Sequence, residues 1–360
     1  MEVDQVYASA GVNRAYHCLA ARGSTVLQGA SNAVAVLQRD DVTGALRMTR
    51  TLNAHTDKVN CVQWGAGDSI FLSSSVDKTV VVWKDMAPVL KMTGHSESVT
   101  SVDSVTFPDG RLTVVSASGD GHLLVRRVAA DMSTWDTIQD IQFKGGSFAL
   151  NVRLATVPTT KGTAAHLLFA CMDSCKVDVY AASDDGQFHK VTSLTGHEDW
   201  CQCVESAYDP ETKCLLVATG GQDHFIRVWR LAEVSCDQED SSISSGEIKL
   251  KEVVFDLPSN SSSVRMSVRV DTILSGHEDR VTGLEFLKED SGMIKLVSCS
   301  MDKTMIVWTP SSDGDGVWSD SVRVGEVGGN TLGFFGCQWL RPNHLLGYSF
   351  NGALHSWMAG

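Results

Sequence analysis

The chain has 360 residues, 43% of them hydrophobic, and a formal net charge of −13. That acidity gives no overall support to nucleic-acid binding, which needs Lys and Arg gathered on one face. No apolar run approaches the roughly 18–20 residues of a membrane-spanning helix, and the opening MEVDQVYASAGVNRAYHCLAARGS lacks the basic-then-apolar layout of a signal peptide.

In chain order, residues 2–9 (EVDQVYAS) read as a lone strand, and TVLQGASNAVAVL (25–37) reads as a hairpin with Ser31 in its turn. IFLSSSVDKTVVVW (70–83) is the first sharp copy: a β-branched strand, a turn holding Asp77, and a second strand ending at Trp83. LTVVSASGDGHLLVRRV (112–128) repeats it with Asp120, but Arg126 stands where the tryptophan should be. HLLFACMDSCKVDVY (166–180) ends at Tyr180, with Ser174 in the Asp slot and Asp173 beside it. LLVATGGQDHFIRVW (215–229) carries Asp223 and Trp229, and IKLVSCSMDKTMIVW (294–308) carries Asp302 and Trp308. HLLGYSFNGALHSW (344–357) ends at Trp357, with Asn351 in the Asp slot.

Upstream of Asp77, Asp120, Asp223 and Asp302 lie His55, His95, His197 and His277, at distances of 22, 25, 26 and 25 residues. Recurrent Gly-His, Asp and Trp at these spacings are the signature of the WD repeat, whose four strands form one propeller blade. The hairpins close at 37, 83, 126, 180, 229, 308 and 357. Those steps are near the expected ~40–45 residues except one, so the predicted fold is all-β, a single seven-bladed WD-repeat β-propeller. The long step holds an inter-blade insertion over 232–263, acidic and Ser-rich at first (SCDQEDSSISSGE) and strand-like later (IKLKEVVFDL). Its first part has too little apolar surface to offset the entropy of ordering. The last blade lacks its outermost strand, and residues 2–9 are expected to supply it, leaving fewer open sheet edges.

Three repeats hold the residues of a hydrogen-bonded tetrad: His55, Ser73, Asp77 and Trp83; His197, Thr219, Asp223 and Trp229; His277, Ser298, Asp302 and Trp308. Ser, His and Asp would also suit a hydrolase. Their recurrence argues for structure, because an enzyme needs one site and buried polar groups need partners. Cys171/Cys175 and Cys201/Cys203 have no second pair to complete four metal ligands. The ten cysteines, scattered singly, read as reduced core thiols of an intracellular protein. GEVGGN (325–330) lacks the Lys-Ser/Thr ending of a phosphate loop and reads as a turn. Asn260-Ser261-Ser262 is a glycosylation triplet without a secretory context. No catalytic residue, metal or cofactor is expected. The third residue past each His, namely Lys58, Ser98, Trp200 and Arg280, is expected to ring the channel mouth as a protein interface. Trp and Arg are frequent interface anchors.

SMDKTMIVW (300–308), GVW (316–318), VRVGEVGGNTLGFFGCQW (322–339) and NGALHSW (351–357) closely resemble the family of the second subunit of the Elongator complex. TGHEDW (195–200) and GGSFALNVRL (145–154) fit it in the same order. The resemblance implies a non-catalytic scaffold in the cytoplasm and nucleus. Its partners would be the large scaffold and catalytic Elongator subunits, and the assembly modifies tRNA wobble uridine at carbon 5. Members of that family carry two propellers in tandem, whereas this chain holds one, so functions of a second ring lie outside the reading. The alternative is a WD-repeat adaptor in signalling or ubiquitin transfer, which would co-purify with a kinase or ligase.

Overall fold

The computed structural model describes residues 2–8, 17–40, 44–65, 67, 69–107, 109–234, 252–258, 264–311, 317–325, 333–349 and 353–358. They form seven antiparallel sheets, the blades of a propeller. From the axis outward, blade 1 is Leu19–Arg22, Thr25–Ala30, Ala33–Arg39 and Leu46–Asn53. Blade 2 is Val59–Trp64, Ile70–Ser75, Val80–Lys84 and Ala87–Met92. Blade 3 is Val99–Thr106, Leu112–Ser118, His122–Val128 and Trp135–Gln142. Blade 4 is Ala149–Pro158, Ala164–Met172, Lys176–Ala182 and Phe188–Thr195. Blade 5 is Cys201–Asp209, Cys214–Gly221, Ile226–Glu233 and Arg265–Leu274, with Val253–Asp256 added outside. Blade 6 is Val281–Lys288, Ile294–Ser300, Met305–Pro310 and Trp318–Val324.

Blade 7 is assembled from both ends of the chain. Phe334–Arg341, His344–Ser349 and Ala353–Met358 are followed by Glu2–Ala8, which pairs antiparallel to the third strand with Val3 opposite Trp357. The innermost strands touch in cyclic order, and that of blade 7 touches that of blade 1, so the ring is closed.

Strand alternation explains the core. Side chains point to opposite sheet faces in turn, so in the third strand of blade 2 Val81 and Trp83 face blade 1, while Val80 and Val82 face blade 3. The hydrophobic core is accordingly seven slabs, one between each pair of neighbouring blades, including one between blades 7 and 1. In blades 1 to 6 the fourth strand carries an extra residue beside the hairpin-closing position, for example between the partners of Val82 and Trp83. Such bulges steepen the right-handed twist, which lets flat blades pack as a radial array.

The insertion differs from its expected place. The third strand of blade 5 runs through Glu233, and the next described element is Val253–Asp256, so the extra segment interrupts one blade rather than separating two. The reason is that sequence repeats end at the tryptophan, one strand before the blade does. Phe255 of the added strand is buried against blade 4, while Val253 and Val254 stay exposed. The acidic stretch 235–247, Asn351, the triplet at 260–262 and most of GEVGGN lie outside the described residues.

Deleting residues 1–8 should uncover the edge of the strand Ala353–Met358. An open edge templates pairing with other chains. Size-exclusion chromatography should therefore show self-association, and the melting midpoint should fall. A truncated protein that stays monomeric with an unchanged midpoint would refute the latch.

Candidate functional site: the upper mouth of the ring

The loops entering each innermost strand, together with the turns between second and third strands, form one face of the ring, called here the upper face. Its geometry begins with the tetrads. In blade 2 the Trp83 indole N–H donates to Ser73 Oγ at 2.8 Å, Ser73 meets His55 Nε2 at 2.8 Å, and His55 Nδ1 lies 3.1 Å from Asp77. An indole only donates and a carboxylate only accepts. The proton order is thereby fixed: Ser73 donates to Nε2, and Nδ1–H donates to Asp77. Blade 6 repeats this through Trp308, Ser298, His277 and Asp302 at 2.8, 2.8 and 2.9 Å. Blade 5 uses Trp229, Thr219, His197 and Asp223 at 3.0, 2.9 and 2.9 Å. A fourth network, not expected from the lost tryptophan, joins His95, Ser116 and Asp120, with Arg126 donating to Ser116 Oγ at 2.6 Å. Arg126 is fully buried, and burial lowers its guanidinium to about 10.

Each tetrad pins the loop arriving from one blade onto the turn of the next. The Asp carboxylate accepts the backbone N–H just past the histidine, from Thr56, Ser96, Glu198 or Glu278. Burial alone would raise the Asp223 carboxyl. The bond and charge of His197, the Glu198 amide and Arg227 outweigh it and hold Asp223 at about 2. Asp77 and Asp302 are likewise held below the usual carboxylate range. Burial lowers His55 and His95 against the pull of their aspartates, which favours the neutral imidazole.

The third residue past each histidine then falls at one fixed place on the rim. The carbonyls of Lys58, Ser98, Trp200 and Arg280 accept the N–H of Val76, Gly119, Gln222 and Met301, each the residue before a tetrad aspartate. Lys58 is exposed and Trp200 is 42% exposed, while Ser98 and Arg280 are half-buried. Ser98 Oγ also accepts a bond from Asn60 Nδ2 at 2.8 Å. Blade 4, which has no repeat histidine, places Phe148 at the same site, its carbonyl accepting Asp173 N–H at 3.0 Å. Sequence inspection missed Phe148 for want of the His marker. Counting back from the start of the strand ALNVRL would have found it.

Blade 5 has a second unforeseen aromatic. In blades 2 and 6 the second residue past the tetrad aspartate is Thr79 or Thr304, whose hydroxyl donates to that carboxylate. Blade 5 has Phe225 there, and Arg227 reaches up from the strand to supply the missing bond to Asp223 at 2.9 Å. Phe225 is thus released from the network and is 37% exposed, with the Arg227 guanidinium 5.8 Å from its ring. Gly196 lets Arg227 pass: a Cβ there would lie 3.1 Å from Arg227 Nε, and its φ is +147°.

The eighth residue past each of the four repeat histidines, Gln63, Asp103, Glu205 or Glu285, lies at the channel, and Arg153 of blade 4 and Gln338 of blade 7 complete a polar ring with one cation for three carboxylates. Arg153 pairs with Glu205 at 2.8 Å and with Asp103 at 3.7 Å. Gln338 Nε2 donates to Glu285, and its Oε1 accepts Ala21 N–H at 2.9 Å, linking blades 6, 7 and 1. Removal from bulk water, then the Glu205 carboxylate, push Glu285 well above the usual carboxylate range against the pull of Arg153. Burial lowers His17, beside the same channel, to about 4 against a bond to the Gln202 backbone. This ring is a packed polar seam. Among the described residues no His, Cys, Asp or Glu group is arranged to hold a metal ion, and no helix is long and apolar enough to cross a membrane. Among the cysteines, Cys175 is exposed, while Cys18, Cys61, Cys171, Cys201, Cys203, Cys214, Cys299 and Cys337 are buried free thiols.

The two sets of carboxyls give stability opposite pH limbs. A depressed carboxyl stabilises above its ordinary value of 3.8 and loses that contribution as pH falls toward its folded value, which sets the acid limb through Asp77, Asp223 and Asp302. Glu285 is raised, so its contribution is present below its ordinary 4.5 and is lost as pH rises through the folded value. Glu285→Gln should therefore match the parent's melting midpoint near pH 4 and exceed it near pH 8. Equal midpoints for both proteins across that range would contradict the assignment.

The WD domain, G-beta repeat model matches residues 46–84, 86–125, 188–230 and 268–309. The first stretch opens on the outer strand of blade 1 and ends with the third strand of blade 2, reproducing the one-strand offset. Elongator complex protein 2 of Danio rerio is 37% identical over 99% of this chain and 43% of its own length. The Homo sapiens protein is 35% identical over 85% of the chain and 38% of its length, and that of Drosophila melanogaster 30% over 99% and 46%. The chain thus spans less than half the length of these relatives. It is a seven-bladed WD-repeat propeller and a homologue, over nearly its whole length, of the N-terminal portion of Elongator complex protein 2.

Proposed function

We propose that this ring is a non-catalytic scaffold subunit of an Elongator assembly, and that its upper face holds the large scaffold and catalytic subunits. In that role it supports modification of tRNA wobble uridine at carbon 5 without touching the reacting atoms. The observation that carries the reading is Trp200, a tryptophan 42% exposed at a rim position fixed by the tetrad next to it. The fold gains little from it, because the indole of the same blade that seals the core is Trp229. An exposed tryptophan with an arginine at the equivalent site of the next blade has the composition of an interface anchor. Homology to Elongator complex protein 2 supplies the class of partner. The recurrence of His, Ser/Thr and Asp in several blades supports structure over catalysis.

Trp200→Ala and Arg280→Glu, separately, should leave the melting curve unchanged and weaken pull-down of the other Elongator subunits. A hot-spot loss of about 2 kcal/mol or more corresponds to roughly thirtyfold in affinity. Destabilisation by Trp200→Ala would mark it as core. Undiminished assembly by both stable variants would move the partner surface elsewhere. Recovery of a kinase or ubiquitin ligase in place of Elongator subunits would favour the adaptor alternative.

A further inference from the structure

The turn of blade 4 lies between two rim aromatics. Asp173 N–H bonds the Phe148 carbonyl at 3.0 Å, and the Ser174 carbonyl accepts the N–H of Cys201, the residue after Trp200, at 3.3 Å. Phe148 and Trp200 therefore flank the dipeptide Asp173-Ser174. Two polar atoms of that dipeptide, Asp173 Oδ1 and Ser174 Oγ, are buried and have no hydrogen-bond partner among the described residues. Blade 4 has no repeat histidine to engage its turn, and Ser174 stands where Asp77, Asp120, Asp223 and Asp302 bond their histidines, so its hydroxyl and the neighbouring Asp173 Oδ1 stay unmet. Unmet buried polar atoms are costly, and a donor that met them by a turn of the half-buried Asp173 and Ser174 side chains would gain binding energy.

The surroundings select the charge of that donor. Glu198 and Asp199 are exposed next to Trp200 and Asp173 lies in the turn itself, while the Arg227 guanidinium beside Phe225 is held by Asp223. Phe225 adds a further exposed ring on the same blade. Aromatic faces and carboxylates together favour a cation, and a planar guanidinium can stack on an indole while donating to two oxygens.

We infer that the notch formed by Phe148, Asp173, Ser174 and Trp200 takes a cationic side chain, arginine preferred, from a partner segment docked on the upper face. This rests on the reading of that face as the partner surface, and it adds the chemistry of the residue recognised.

The test uses the whole chain with ¹⁵N-labelled indoles. The nine tryptophans give one signal each, and Trp200→Phe assigns the one of interest. N-acetyl-arginine methylamide should move the Trp200 signal saturably at millimolar concentration and leave the buried indoles still. Its neutral isostere, N-acetyl-citrulline methylamide, should not. Asp173→Asn should weaken the response by about tenfold or more, the loss expected for a charge-assisted bond. Phe148→Ala, which leaves the carboxylate in place, should weaken it less. Equal responses to arginine and citrulline, or none to arginine, overturn the inference with wild-type protein alone, even if a variant fails to fold. A response untouched by Asp173→Asn in a folded variant also overturns it. Failure here with pull-down still dependent on Trp200 and Arg280 would leave the partner face standing. A cation response without that dependence would leave the notch standing and remove the face.

Discussion

The chain of hydrogen bonds from indole to hydroxyl to imidazole to carboxylate is the constraint on which the upper face and the channel both depend. It fastens a loop that leaves one blade to a turn that belongs to the next. Because it fixes the histidine, it also sets the place of residues at fixed distances beyond it. Three residues on, the side chain stands on the rim; eight residues on, it enters the channel. The hydroxyl at its centre satisfies two neighbours at once, and each of its bonds is sheltered from water. Arg126 shows that the indole can be exchanged for another rigid, buried donor without losing the network.

The blades that obey this constraint were legible in the sequence, and those that relax it were not. His55, Asp77 and Trp83 announce blade 2 because their chemistry admits few substitutes. Leu37 and Tyr180 close blades without an indole, so blades 1 and 4 were visible chiefly through strand alternation. The rim residues Trp200 and Arg280 could be counted from a histidine, whereas Phe148 could not. Phe225 and Arg227 exchange roles across two positions, a compensation that only the fold brings together. The channel ring was hidden for another reason: Asp103, Arg153, Glu205 and Glu285 look like unrelated charges until seven strands converge on one axis. The insertion was recognised by composition, but the offset between repeat and blade displaced it from a gap to the interior of blade 5.

Stability and the proposed recognition occupy different parts of this ring. The slabs between blades and the tetrads hold the shape. The crowding of three carboxylates around Arg153 runs against that stability at neutral pH, and yet the polar contacts of Arg153 join blades 3, 4 and 5 while those of Gln338 join blades 6, 7 and 1. The rim of blades 4 and 5 departs from the pattern of blades 2 and 6. There blade 4 lacks the histidine, Phe225 stands where blades 2 and 6 have a threonine, and two polar atoms in the turn of blade 4 are unmet. Departures from a repeat that leave the fold intact are where a scaffold can differ from its generic relatives.

Hydrogen–deuterium exchange of the chain, alone and with the proposed Elongator partners, tests the role of the upper face most directly. Binding there predicts slowed exchange in the loops at 147–150, 173–176, 198–201, 222–225 and 278–280. The opposite-face turns at 159–163, 209–213 and 289–293 should be unchanged. Protection confined to those opposite turns, with the upper loops unaffected, would contradict it.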